Sequence, residues 1–133
     1  MVINAEDVLT EVRAAVDRYE AALMANDLTA LDDFFWASEH TVRFGVAENL
    51  YGIEEIRQFR LGRGGGSPTR ERTRTHIVTL GRDLAVAHVE FRRHNPERRG
   101  RQTQTWTRTP AGWKVVSAHV SLLQAGADQR SSS

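Results

Sequence analysis

The sequence predicts an α+β domain in which three N-terminal helices pack on a curved antiparallel sheet, and three observations carry that reading. Apolar residues recur at helical spacing through the first third of the chain. Strict alternation fills almost everything after Pro68. The turns between the alternating runs are short enough for hairpins only.

Val8, Val12, Ala15, Val16, Tyr19 and Leu23 form one stripe over residues 5–24, with Glu11, Arg13, Asp17, Arg18 and Glu20 off it, which predicts a long amphipathic helix. Asn4 is the candidate N-cap, with Asp7 three residues on. Asn26-Asp27 ends the helix, and Asp27 can cap a second one over 28–36. From Thr41 the period drops to two. Val42, Phe44 and Val46 face one way and Thr41, Arg43 and Gly45 the other, a short strand whose return runs through 48–52. A third helix, 53–61, is closed by Gly62 and followed by the Gly64-Gly65-Gly66-Ser67-Pro68 run, which reads as a hinge or disordered connection.

Four long strands follow, at about 70–80, 84–94, 101–109 and 113–123. Pairing Leu80 with Leu84 sets Arg74 opposite Glu90, His76 opposite His88, Thr73 opposite Phe91 and Thr75 opposite Val89. In the second hairpin, Arg108 opposite Trp113 brings Gln104 to Ser117 and Gln102 to His119, leaving Val116, Ala118, Val120 and Leu122 as the apolar reverse face; a one-residue slip would undo this. A single helical wall over a bent sheet makes a cone with one open mouth and a cavity between its layers. The domain spans 1–125, and 126–133 read as a disordered tail.

Composition narrows the function. At 133 residues there is room for one core, and without cysteine there is no disulfide, thiolate nucleophile or Cys-based metal site. An acidic start without a basic, apolar leader, and the lack of any membrane-length apolar run, point to a cytoplasmic protein with no membrane partner. The net charge of +1 hides an asymmetry: residues 1–56 hold three arginines against twelve acids, and residues 57–133 hold fifteen basic residues against five acids. The halves attract one another. All but Lys114 of the basic residues are arginines, whose forks suit carboxylate or phosphate. A near-neutral total and no basic-aromatic cluster argue against nucleic acid.

The first candidate lining is the polar face of the last hairpin: Gln102, Gln104, Ser117, His119 and Ser121, beside Trp106 and Val115. Tyr19 lies on the apolar stripe, so its hydroxyl either meets a strand carbonyl in the core or faces a wet cavity. Arg43, between Val42 and Phe44, either points inward as a carboxylate fork or outward to Glu48 or another acid. Alternation alone does not choose its face. Glu48 and Asn49 could line the mouth or simply make the turn. His119 and Ser121, about 6.6 Å apart along one strand, lack an orienting carboxylate for a dyad. His76 and His88 could hold a metal only if a carboxylate such as Glu90 converged, so no metal is expected. Asp32 and Asp33 point about 100° apart on a helix and make no acid-base pair, and the glycine run lacks the Lys-Ser/Thr of a phosphate loop. Trp36, Trp106 and Trp113 read as core or interface aromatics.

Several segments together carry a family resemblance. They are Arg18-Tyr19-Glu20-Ala21-Ala22-Leu23, Phe34-Phe35-Trp36 with Ser38, His40-Thr41-Val42-Arg43-Phe44-Gly45, Ala47-Glu48-Asn49-Leu50-Tyr51-Gly52, Gly100-Arg101-Gln102 with Gln104-Thr105-Trp106, and Gly112-Trp113 with Ala118-His119-Val120-Ser121-Leu122. Over about residues 5–123 the chain resembles the nuclear-transport-factor-2-like (NTF2-like, SnoaL-like) superfamily, and within it the AtzH-like or HpxZ-like branch. That resemblance implies the cone-shaped NTF2-like fold and a homodimer through the sheet face. It implies a decarboxylating amidohydrolase that converts 1,3-dicarboxyurea to allophanate in cyanuric-acid, ureide or oxalurate catabolism, with no metal or organic cofactor.

The family's active-site tyrosine falls on Tyr19 and its arginine on Arg43. Arg43 would then hold a carboxylate of a small anionic substrate while Tyr19 donates a proton to the departing nitrogen. Departures from the family pattern are the Gly64-Gly65-Gly66 loop and the arginine-rich 97–101 turn. Two other readings stand beside this one: a non-catalytic ligand-binding or accessory protein on the same scaffold, and a cofactor-free isomerase or hydratase, which would want a carboxylate base deep in the cavity.

Overall fold

Where the sequence changes period, the architecture changes layer. The computed structural model describes residues 1–63 and 68–126, with α1 (Glu6–Met24), α2 (Leu28–Phe34), β1 (Val42–Phe44), β2 (Asn49–Tyr51), α3 (Gly52–Gly62), β3 (Arg70–Leu80), β4 (Leu84–Arg93), β5 (Arg98–Thr109) and β6 (Gly112–Leu122). The glycine run at 64–66 and the tail beyond Gly126 lie outside the described residues. The three helices pack on a six-stranded, curved, unclosed sheet ordered β2-β1-β6-β5-β4-β3, so the fold is the expected α+β cone. No described helix is long and apolar enough to cross a membrane.

α1 buries the predicted stripe, Val8, Val12, Ala15, Val16, Tyr19 and Leu23, and also Glu20. Opposite it lie Ile77, Ala85, Ala87, Trp106, Val115 and Ala118, with Leu31 of α2, Phe35 just past it and Ile56 of α3 closing the core. Apolar area removed from water between these layers is the main stabilising term. The complementary charge of the two halves appears as ion pairs along α1: Asp7 with Arg82, Glu11 with Arg108, Asp17 with Arg72 and Glu20 with Arg70. The first three are exposed and worth little each; the fourth is buried.

Several local expectations are corrected. Asn4 does not cap α1, since Ala5 stands there without a side-chain hydrogen bond. Instead Asn4 takes φ 58° and pairs with β3, its N–H donating to Thr79 O (3.1 Å) and its Oδ1 accepting from Thr79 N–H (2.8 Å). Asp27 does cap α2, accepting from Ala30 N–H at 3.1 Å. α2 ends at Phe34 because Phe35 turns extended and bridges to Val115. One pairing is parallel, β1 with β6, because the β1–β2 hairpin enters the sheet beside the last strand.

Two bulges move the registers. In β3–β4 the expected pairs Leu80–Leu84, His76–His88, Thr75–Val89 and Arg74–Glu90 form, but an irregularity between Arg72 and Arg74 puts Arg72, not Thr73, opposite Phe91. In β5–β6 Arg108 faces Trp113 as expected, but Val116 is extra, so Gln104 meets Ala118 and Gln102 meets Val120. A bulge of one residue transfers every side chain beyond it to the other face. Gln102, Gln104, Ala118 and Val120 are consequently inner and buried. Ser117, His119 and Ser121 lie on the outer face, where His119 packs edge-on against Phe44 and Ser121 accepts from Arg101 Nε.

Candidate active site

The cone's mouth opens on a cavity of about 320 Å³, and each layer contributes a charged or polar side chain to it. α1 supplies Tyr19 and Leu23; the β1–β2 hairpin supplies Arg43, Val46, Ala47 and Glu48; Arg63, Arg70, Arg93, Gln102 and Val120 complete the wall with Pro68. Tyr19 and Arg43, singled out in the sequence, thus line one chamber. Arg43 lies on the inner face because β1 pairs with β6 in the register that sets Arg43 beside the buried Ala118.

Tyr19 is only 2% exposed, held edge-on by Phe34, Phe35 and Trp106 at ring-centre distances of 5.7, 6.2 and 6.3 Å. Burial alone would push its phenol up. The guanidinium charges of Arg60, Arg43 and Arg70, with a hydrogen bond from Gln102, outweigh that and hold it below its usual value. Tyr19 thus shares its cavity with Arg43, Arg70 and the Gln102 amide.

The wall carries more positive charge than it neutralises. Arg43 Nη1 binds Glu48 Oε2 at 2.9 Å, while Arg43 Nε is buried with no hydrogen-bond partner among the described residues. Arg70 forks onto the buried Glu20, Nε to Oε2 at 3.0 Å and Nη2 to Oε1 at 2.7 Å. Behind the cavity Arg60 Nε stands 3.1 Å from Asp32 Oδ1. Arg93 sits directly between Arg70 and Arg98 in the sheet register, a row of like charges that is unfavourable in itself. Burial, then Arg70 and Arg98, lower its pKa; burial and then Arg43 lower that of Arg63. Four arginines against one carboxylate among the described lining residues give the cavity a positive field.

The other sequence candidates fall elsewhere. Gln104 and Trp106 are core, not cavity: the Trp106 indole N–H donates to Gln104 Oε1 at 2.9 Å and both are fully enclosed. Asn49 is exposed on β2, opposite Phe44. Ser117, His119 and Ser121 line no part of the cavity, since the β6 bulge turns them outward. His76 and His88 stand 5.9 Å apart on the outer face, and among the described residues no three His, Asp or Glu groups converge as metal ligands. Of the three tryptophans, only Trp106 is fully buried.

Sequence reasoning missed Glu20, Arg63, Arg70 and Arg93. Glu20 had a signal, lying one turn past Val16 at the edge of the apolar stripe. Arg70 and Arg93 had none until the β3 bulge was known, because unbulged pairing would set Arg70 opposite His94, and Arg63, the residue after α3, lies beyond that helix's periodicity.

Glu48 competes for Arg43, and Gly45 lets it do so: a Cβ on Gly45 would come within 1.8 Å of Glu48 Oε2. Glu48→Gln and Gly45→Ala should both free the Arg43 fork and tighten binding of a small dicarboxylate such as malonate about fivefold by calorimetry. Unchanged affinity in both would mean that Glu48 does not occupy the anion site.

The AtzH-like family model matches residues 1–126 of this chain. A protein of unknown function from Pectobacterium atrosepticum is 52% identical, with a TM-score of 0.88 over 92% of this chain and 95% of that one. A cystatin-like fold protein from Burkholderia xenovorans is 43% identical, with a TM-score of 0.88 over 92% and 97%. A putative ketosteroid isomerase from Parabacteroides distasonis shares the fold at 15% identity, TM-score 0.68, over 86% of each chain. No curated protein matches the chain.

Proposed function

Because the chain belongs to the AtzH-like family, we propose that its cationic chamber decarboxylates a small N-carboxylated urea, 1,3-dicarboxyurea or a close relative, to give allophanate. The observation that carries this reading is Tyr19, a buried phenol held below its usual pKa by arginines in a cavity whose cations outnumber its carboxylates. A doubly charged ligand suits that surplus.

In the proposed step the bond between carbon and nitrogen at one N-carboxylate breaks. Its electron pair stays on nitrogen, carbon dioxide departs, and the Tyr19 hydroxyl delivers its proton to that nitrogen; water then restores the phenol. Charge moves from the leaving carboxylate onto the urea nitrogen and oxygen as the bond stretches. Arg43 is therefore best used on the retained carboxylate, because a cation clamped on the leaving one would oppose its neutralisation. A phenol more acidic than usual is the better donor for this step.

The isomerase reading finds less support. The lining carboxylate Glu48 and the buried Glu20 are already bound to Arg43 and Arg70, which leaves neither poised as a base. The decisive experiment supplies freshly generated 1,3-dicarboxyurea to the purified protein and follows allophanate. Formation faster than the spontaneous rate supports the proposal, whereas saturable binding without product would replace it with a ligand-binding role.

A further inference from the structure

Gln102 is nearly sealed from solvent, at 2% exposure, yet an amide is not obliged to stand behind a phenol. Its orientation is set from the other side. Arg70 Nη2 donates to Gln102 Oε1 at 2.9 Å, so the amide oxygen is taken and its NH2 must point away from Arg70, toward the cavity side where Tyr19 lies. Arg70 is in turn immobilised by the fork onto Glu20 and by stacking 4.5 Å above the Phe91 ring. Glu20 follows Tyr19 on α1, so the chain of contacts leaves that helix and returns to it through β3 and β5.

We propose that Glu20, Arg70 and Gln102 act together as positioning residues, fixing the amide of Gln102 as a donor to the Tyr19 hydroxyl oxygen. A flipped amide would present Oε1 to Tyr19 and set its NH2 against the Arg70 guanidinium, two donors face to face. The fork makes that state unfavourable, so the amide has one orientation. A donor to the phenolic oxygen stabilises phenolate over phenol and makes Tyr19 the stronger acid. This rests on the reading of Tyr19 as proton donor and says which groups tune it. The charges that lower the phenol's pKa are Arg60 on α3, Arg43 on β1 and Arg70 on β3. The same cavity also holds Glu48 on the β1–β2 turn, Arg63 after α3 and Arg93 on β4, with Glu20 of α1 on Arg70. α2 and β5 face Tyr19 with Phe34, Trp106 and Gln102, which carry no charge. Arg60 and Arg43 act through space, whereas Arg70 acts both by charge and by holding the amide.

Only two tyrosines, Tyr19 and Tyr51, are present, so tyrosinate absorbance of the substrate-free protein follows Tyr19 against a single other phenol. Gln102→Leu removes the donor and Gln102→Glu replaces it with an acceptor. Each should raise the Tyr19 midpoint by about one pH unit or more. Arg70→Lys keeps the charge but lacks the fork, and should raise it in the same direction. Tyr19→Phe identifies the step by deleting it.

Where turnover is measured, the alkaline limb of the rate profile should move by the same interval. Thermal melts of each variant confirm folding, and the nearly isosteric Gln102→Glu carries the test if Gln102→Leu does not fold. An unmoved midpoint in the Gln102 variants would overturn the proposal. An unmoved midpoint in Arg70→Lys alone would overturn the part assigned to the fork. Because this titration needs no substrate, its outcome is independent of whether dicarboxyurea is turned over.

Discussion

Tyr19→Phe should lower kcat for a carboxylated urea about 10²- to 10⁴-fold, the range a positioned general acid contributes, while leaving the fold standing. The substitution removes one oxygen and keeps the ring that Phe34, Phe35 and Trp106 enclose. The arginines that would bind the substrate's carboxylates are untouched, so KM should change little, which marks an interaction used in the transition state rather than in binding. Arg43→Ala should differ in kind, raising KM as well as lowering kcat, because it removes an anchoring charge. The pH profile supplies an independent sign. The active form carries the Tyr19 proton, so the parent's rate should fall as pH rises through an apparent pKa below the usual 10, the direction set by Arg60, Arg43 and Arg70 outweighing burial. Steady-state kinetics with a thermal melt on each variant check all of this. Parent-like turnover by Tyr19→Phe would assign proton delivery to another group and end the reading.

What was legible in the sequence follows from how far each signal reaches. Periodicity is local, so the α1 stripe, the Asp27 cap and the four long strands were readable, and a tight turn carries its register outward, so Leu80–Leu84 and Arg108–Trp113 were readable too. Register then failed at the first irregularity. Val116 adds one residue to β6, and beyond it Ser117, His119 and Ser121 exchange faces with Ala118 and Val120. Three expected lining residues were lost at that single point. The irregularity in β3 likewise concealed the Arg70–Arg93–Arg98 row, which alternation could not reveal because it depends on alignment between strands. Tyr19 and Arg43 were identified through family resemblance, and spacing alone left both with an ordinary structural reading. Glu20 was set aside as off the stripe, although a charged residue at the stripe's edge is where a buried ion pair can form.

Arg70→Leu should cost about 3–5 kcal/mol of folding stability, the usual consequence of removing one partner from a buried ion pair. The Glu20 carboxylate, which Arg70 meets at 3.0 and 2.7 Å, would be left beside apolar neighbours and an amide, with little water to replace its partner. Glu20→Leu/Arg70→Leu should recover most of that loss, since deleting both charges removes the desolvation penalty along with the attraction. Denaturant unfolding of the parent, the two single variants and the double variant closes a cycle in which the coupling is measured directly. Turnover should not recover. In the double variant nothing takes the oxygen of Gln102, one of the three cations around Tyr19 is gone, and the phenol returns toward its ordinary acidity. Stability regained with kcat lost and KM little changed would show that this pair is kept for what it does to Tyr19, since an apolar pair would serve the core as well, whereas a raised KM would make Arg70 an anchor for substrate charge. A double variant as unstable as Arg70→Leu would instead make Glu20 and Arg70 a structural joint between α1 and β3.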